Sequence, residues 1–167
     1  MAVPTATAAE RLYDNWRLDM QPPKILPPHY FVLSLVAMTA VTVLFGRGLL
    51  NHAIVYAGVV PMLIGLIMAV RASRQFSDAG TNIIPLTKST ALVTDGMFRW
   101  TRNPMYTGMI LFLGGLALVL DNLWNWLIVI VFAVVIRKLF IRREEQLMLE
   151  TFGDDYAEYT RQVRRWL

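Results

Sequence analysis

Two short stretches carry side chains able to hold a small zwitterion. The first is Phe98–Gly108 (FRWTRNPMYTG), in which Arg102 and Asn103 precede Pro104 and Tyr106 follows within the next turn. Asparagine suits a helix N-cap and proline the first helical position, so the spacing predicts a helix opening at Pro104. Its free backbone amides, with Arg102 beside them, form an anion site. The second is the pair Glu144-Glu145, carboxylates that can hold a cation or accept a proton. A carboxylate near a helix start offers one negative and one positive pole. That combination matches the ammonium and carboxylate of an amino acid, such as the methionine end of S-adenosylmethionine. Each half also has a plainer reading. Arg102 can anchor a helix to lipid phosphates, and the glutamates can pair with Arg142, Arg143 or Arg102 as surface ion pairs of little worth.

What brings the stretches together is the run of elements between them. Residues 30–46, 53–70, 104–120 and 123–141 are apolar, and only the last contains charges, Arg137 and Lys138, whose stems can snorkel. At 1.5 Å per residue each run extends roughly 26 Å, enough to cross the hydrocarbon of a bilayer. The fold expected is all-α: a polytopic membrane protein of about four transmembrane helices in one domain, residues 1–167. Only Asp121-Asn122 separates the third and fourth runs. They must therefore form a tight antiparallel hairpin, with the start of one close to the end of the other. Gly108, Gly114 and Gly115 leave the third helix smooth for close packing within or between chains. Pro61 predicts a kink in the second. Residues 142–152 continue the fourth helix, Gly153 terminates it and Asp154 caps a last helix. There Tyr156, Tyr159, Val163 and Trp166 form an apolar stripe backed by Arg161, Arg164 and Arg165, able either to rest on the membrane surface or to cover a cytoplasmic pocket.

Composition narrows the chemistry. With no cysteine and only His29 and His52, neither a thiolate nucleophile nor a usual metal site is expected. The net charge of +4 raises nucleic acid as a partner, but the basic residues lie between apolar runs, which favours the lipid bilayer. Arg47 alone falls on one side of the four spans. The rest place both termini and the 71–103 loop in the cytoplasm. No cleavable signal is expected in residues 1–28, which are polar and lack an early apolar core. Leu12, Trp16 and Met20 there fall at helical spacing, as in an amphipathic helix lying on the interface.

Five short motifs then follow one order: Ala79–Asn82 (AGTN), Leu92–Phe98 (LVTDGMF), Arg102–Gly108 (RNPMYTG), Glu144-Glu145 and Phe152–Tyr156 (FGDDY). The ordered set, covering 79–167, resembles the integral-membrane superfamily of isoprenylcysteine carboxyl methyltransferases and phospholipid methyltransferases. The resemblance implies an S-adenosylmethionine-dependent methyltransferase acting on a membrane lipid or lipidated substrate. It further implies that the cofactor is held by Thr90, Ala91, Leu92 and Val93, by Phe98 where tyrosine is usual, by Asn103, Pro104, Met105 and Tyr106, and by Glu144 as acidic partner. Arg102, Tyr106 and Glu145 are the candidate catalytic residues. Two positions depart from the prenylcysteine branch. Asn103 stands in place of histidine, and Phe140 in place of the arginine that binds the substrate carboxylate. Arg137, one turn earlier, is the candidate to replace that arginine.

Methyl transfer from a sulfonium is an in-line displacement, in which the enzyme positions two reactants and excludes water. An amine acceptor would need a base, for which Glu145 and Asp95 are candidates. A sterol-type reductase using NADPH, similar in its C-terminal region, is the rival enzyme. A non-catalytic adaptor docking on anionic lipid is the rival outside enzymes.

Overall fold

The computed structural model describes residues 25–48, 52–80, 85–87 and 89–167. The interfacial helix expected around Leu12, Trp16 and Met20 lies outside these residues. The described chain is helical, with no strand among the described residues. It comprises α1 (Pro27–Phe45), α2 (His52–Ala57), α3 (Val59–Asp78), α4 (Pro104–Leu120), α5 (Leu123–Ile136) and α6 (Arg142–Gln162).

The stretches Pro27–Phe45, Ile54–Asp78 and Leu123–Gln162 are long and apolar enough to cross a membrane, and Pro104–Leu120 is a shorter apolar helix between them. Large apolar side chains such as Leu33, Val36, Leu63, Ile67, Leu127 and Ile130 stand exposed around the bundle. An apolar girdle of this extent is what a lipid-facing surface requires. The protein is an integral membrane protein.

Proline and glycine set the helix geometry. Pro27 opens α1, where a missing N–H costs nothing. The break between α2 and α3 falls at Gly58. Pro61 has no N–H to offer the carbonyl of Ala57 four residues back, and the interruption falls at this point, where the sequence predicts a kink. α3 and α4 then run antiparallel with their backbones nearly touching at two points. A Cβ on Gly65 would collide with the Gly108 carbonyl, and one on Gly58 with the Gly115 carbonyl. Both pairs are seven residues apart on their own helix, two turns, so one glycine face meets another. Gly114 looks elsewhere, toward Trp126 of α5.

The α4–α5 hairpin turns within the two residues the sequence allows. Asp121 adopts left-handed backbone (φ 51°), and the Asn122 side chain caps α5 by accepting from Trp124 N at 2.9 Å. Asn122 also donates to the Gly46 carbonyl (2.7 Å), and Asn125 to Thr42 Oγ1 (2.9 Å), which fastens α1 to the same end. Between α1, α4 and α5 the core holds Met38, Leu113, Phe132, Ile136 and Phe140.

α5 does not stop at the edge of its apolar run. It passes through a five-residue π-helical turn, Arg137–Ile141, directly into α6. A π turn inserts one residue into the ladder and rotates the succeeding turns by roughly 100°. Phe140 and Ile141 are thereby fully buried while Arg137 faces outward. The expected break at Gly153 is present as a bend inside α6, where its φ of 53° departs from helix.

Candidate active site

Local packing folds the loop after α3 back over the helix ends. Gln75 brackets it: Nε2 donates to the Asp95 carbonyl (3.2 Å) and Oε1 accepts from Met97 N (2.9 Å). A 3-10 turn, Gly96–Arg99, then buries Phe98 edge-on against Phe76, with ring centroids 4.9 Å apart. Tyr159 of α6 donates to the Phe98 carbonyl at 2.6 Å. Trp100 stays exposed, an aromatic suited to the headgroup level.

The start of α4 differs from expectation in one respect. Asn103 occupies the N-cap position, but its side chain caps nothing. Its Nδ2 instead donates to the carbonyl of Arg165 (3.3 Å). The amides of the first turn are therefore left without a side-chain acceptor, which strengthens the case for an anion site there.

Opposite this helix start stands Glu144. The Tyr106 hydroxyl donates to Glu144 Oε1 at 2.7 Å, joining α4 to α6. Loss of solvent pushes the Glu144 carboxyl up to about 7; the Tyr106 hydrogen bond opposes this and the charge of Glu145 adds to it. Such a carboxylate gains from a bound cation. Glu145 is already engaged. Both of its oxygens accept from Arg165 Nε, at 2.9 and 3.1 Å, and Arg102 lies 3.4 Å away. Burial pushes the Tyr156 hydroxyl up to about 12, with Glu145 adding and Arg102 opposing.

These groups surround a cavity with about 800 Å³ of empty space including its mouth. Of the residues expected at the site, Leu92, Val93, Phe98, Arg102, Asn103, Pro104, Met105, Tyr106, Glu144 and Glu145 line it. Thr90 and Ala91 do not line the cavity. Thr90 is exposed and donates to the Gly80 carbonyl at 3.1 Å, holding the loop rather than the space. Arg137 does not reach it either: its N–H still bonds to Ala133 in the register of α5, on an exposed face, so the guanidinium expected to replace the one missing at Phe140 is not delivered. Asp95 is likewise exposed and outside the lining. Sequence reasoning missed Phe76, Leu86, Leu147 and Met148 as lining residues, whereas Tyr156 and Tyr159 belong to the stripe expected either on the membrane surface or over a cytoplasmic pocket, and they line the pocket. The tyrosines carried a signal, their helical spacing in an apolar stripe. Leu86, with left-handed backbone (φ 62°), carried none.

Residues 53–155 match the phospholipid methyltransferase family. The chain belongs to that family. The matched segment contains every lining residue except Tyr156 and Tyr159. Among similar proteins, the protein-S-isoprenylcysteine O-methyltransferase B of Arabidopsis thaliana is 27% identical over 147 residues, 83% of this chain and 73% of that one. The protein-S-isoprenylcysteine O-methyltransferase of Schizosaccharomyces pombe is 34% identical over 79 residues, 46% of this chain and 32% of its own length. An uncharacterized Haemophilus influenzae protein is 44% identical over 63 residues, its whole length and 38% of this chain. No solved structure matches significantly. Family membership and these relatives identify a membrane methyltransferase, and they favour methyl transfer over the reductase and adaptor readings.

Proposed function

We propose that this phospholipid methyltransferase family member binds S-adenosylmethionine in the cavity and methylates a lipophilic acceptor at the cytoplasmic membrane face. The observation that carries the reading is Glu144, held by Tyr106 at 2.7 Å, across one cavity from the uncapped start of α4. The residues fit the cofactor. One wall supplies a carboxylate in want of a cation, and the other supplies open amides.

Once bound, the cofactor supplies an electrophilic methyl: an acceptor lone pair forms the new bond to carbon while the S–CH3 electron pair stays on sulfur. The chain's own groups do the positioning. Glu144 holds the ammonium. The first-turn amides of α4 hold the carboxylate, together with Arg102, whose buried Nε has no hydrogen-bond partner among the described residues and remains a donor. The rings of Phe98, Tyr156 and Tyr159 line the space where a sulfonium would lie. They attract its charge through their faces and keep water out. Two guanidiniums hold Glu145, so its role is in the scaffold rather than as a base.

The acceptor enters from the bilayer and is a phospholipid amine or an isoprenoid-like carboxylate. Basic residues on the side of α6 and of the α3–α4 loop orient that side, with both termini, to the cytoplasm. The test is to incubate the purified protein in nanodiscs with methyl-labelled S-adenosylmethionine and total lipid extract. Label should enter the lipid fraction, with a mass gain of one methyl group that identifies the acceptor. Lipid reduction with NADPH and no methyl incorporation would overturn the reading.

A further inference from the structure

The segment beyond α6 is not a loose end. Val163 leaves the helix with extended backbone (φ −119°, ψ 133°). The Arg164 carbonyl then accepts from Arg102 N at 2.9 Å. The Arg165 carbonyl accepts from Thr101 Oγ1 at 2.8 Å and from Asn103 Nδ2 at 3.3 Å. The Arg165 guanidinium engages both oxygens of Glu145, a bidentate geometry that lysine cannot reproduce. Trp166 packs against the transmembrane core. Three successive residues thus tie the corner before α4, the charged start of α6 and the bundle into one unit.

We propose that Arg165 is a positioning residue of the cofactor site, whose guanidinium cancels the Glu145 charge beside Glu144 while its backbone straps the Thr101–Asn103 corner against α6. The inference rests on the cavity being the cofactor site. Tyr106 and the neighbouring Glu145 act on Glu144 directly, Arg102, Tyr156 and Tyr159 line the same cavity, and Arg165 reaches the site through Glu145. From the 85–93 segment, among described residues, only the hydroxyls of Thr87 and Ser89 line the cavity. Glu145 is the one anion in this set and stands next to the carboxylate that must meet an ammonium. With Arg165 removed, Arg102 alone faces Glu145 at 3.4 Å. The less compensated Glu145 charge then favours a protonated Glu144.

The experiment compares full-length wild type, Arg165→Gln and Arg165→Lys in two measurements. The first is hydrogen exchange of ligand-free protein across residues 101–106. Arg165→Gln should exchange about tenfold faster there, with α1 and α5 unchanged, as expected when one local unit loosens. The second is S-adenosylmethionine affinity against pH. Arg165→Gln should bind about fivefold more weakly at pH 7 yet near wild type at pH 8.5, as expected if Glu144 takes its proton at higher pH. Arg165→Lys, keeping the charge, should restore the pH profile even if exchange stays fast. A purely structural role would weaken binding equally at every pH, and that result overturns the proposal, as does wild-type exchange at 101–106 in Arg165→Gln. If the wild type itself binds no S-adenosylmethionine, the cavity reading falls, and the exchange result alone decides whether the strap exists.

Discussion

The Tyr106 hydroxyl lies 2.7 Å from Glu144 Oε1, although 38 residues separate them in the chain. The bond links the first turn of one apolar helix to the continuation of the next, and the cavity opens beside it. A hydrogen bond to a charged group contributes about 1.5–3 kcal/mol, and a carboxylate facing an ammonium is of similar worth. Glu144→Gln should therefore weaken S-adenosylmethionine binding about 10- to 100-fold by calorimetry, and Tyr106→Phe by a smaller factor. Equal affinity in all three proteins would show that Glu144 does not face the ligand.

Binding should depend on pH in a particular direction. Burial raises the Glu144 carboxyl from an ordinary 4.5 to about 7, so the ligand-free protein keeps this proton through mildly acidic conditions. Only the ionised form attracts an ammonium, so affinity should rise with pH through about 7. It should fall again above about 8, where an α-amino group loses its proton. The same shift lowers stability as pH climbs from 4.5 to 7, because the unfolded carboxyl ionises first. Titrations between pH 5.5 and 9 should give a bell for wild type and lose the acidic limb in Glu144→Gln.

The glycine faces of α3 and α4 give a stability test away from the cavity. A side chain on Gly65 would strike the Gly108 carbonyl, whereas a Cβ on Gly114 meets nothing nearer than Trp126 Cζ3 at 4.0 Å. Gly65→Val should lower the melting temperature in detergent, at a cost of about 1–3 kcal/mol from overpacking. Gly114→Ala should melt within a degree or two of wild type.

Tyr159→Phe removes the 2.6 Å bond to the Phe98 carbonyl, leaving a buried acceptor unpaired. A loss of about 1–3 kcal/mol is expected. Because Phe98 lines the cavity, KM for S-adenosylmethionine should rise several-fold with kcat nearly unchanged, as initial rates over a range of cofactor concentrations would show.

Most of the fold was legible because the bilayer leaves a chain few options: apolar runs become helices, and a two-residue link forces a hairpin. The pairing of Glu144 with the α4 start followed from that hairpin. Other features were not local enough to read. Asn103 looked like a cap, yet it spends its amide on Arg165, 62 residues away, a partner that spacing cannot announce. Arg137 was expected at the substrate because an ordinary helix would place it on one face with Phe140. The π turn separates the two, and nothing in RKLFI distinguishes it from an α-helical turn. Glu145 was read both as a possible base and as a partner of Arg102; that contact is present, but the stronger one comes from Arg165, 20 residues on, which spacing does not announce.

The central claim is that one zwitterion is gripped between Glu144 and the first turn of α4. The most direct measurement is a cryo-EM or crystal structure of the protein with S-adenosylmethionine. The account predicts the ligand's ammonium within about 3 Å of a Glu144 oxygen and its carboxylate on the Met105 and Tyr106 amides, normal hydrogen-bond distances. Density placing the amino-acid end elsewhere, with lipid or water between Glu144 and the helix start, would contradict it.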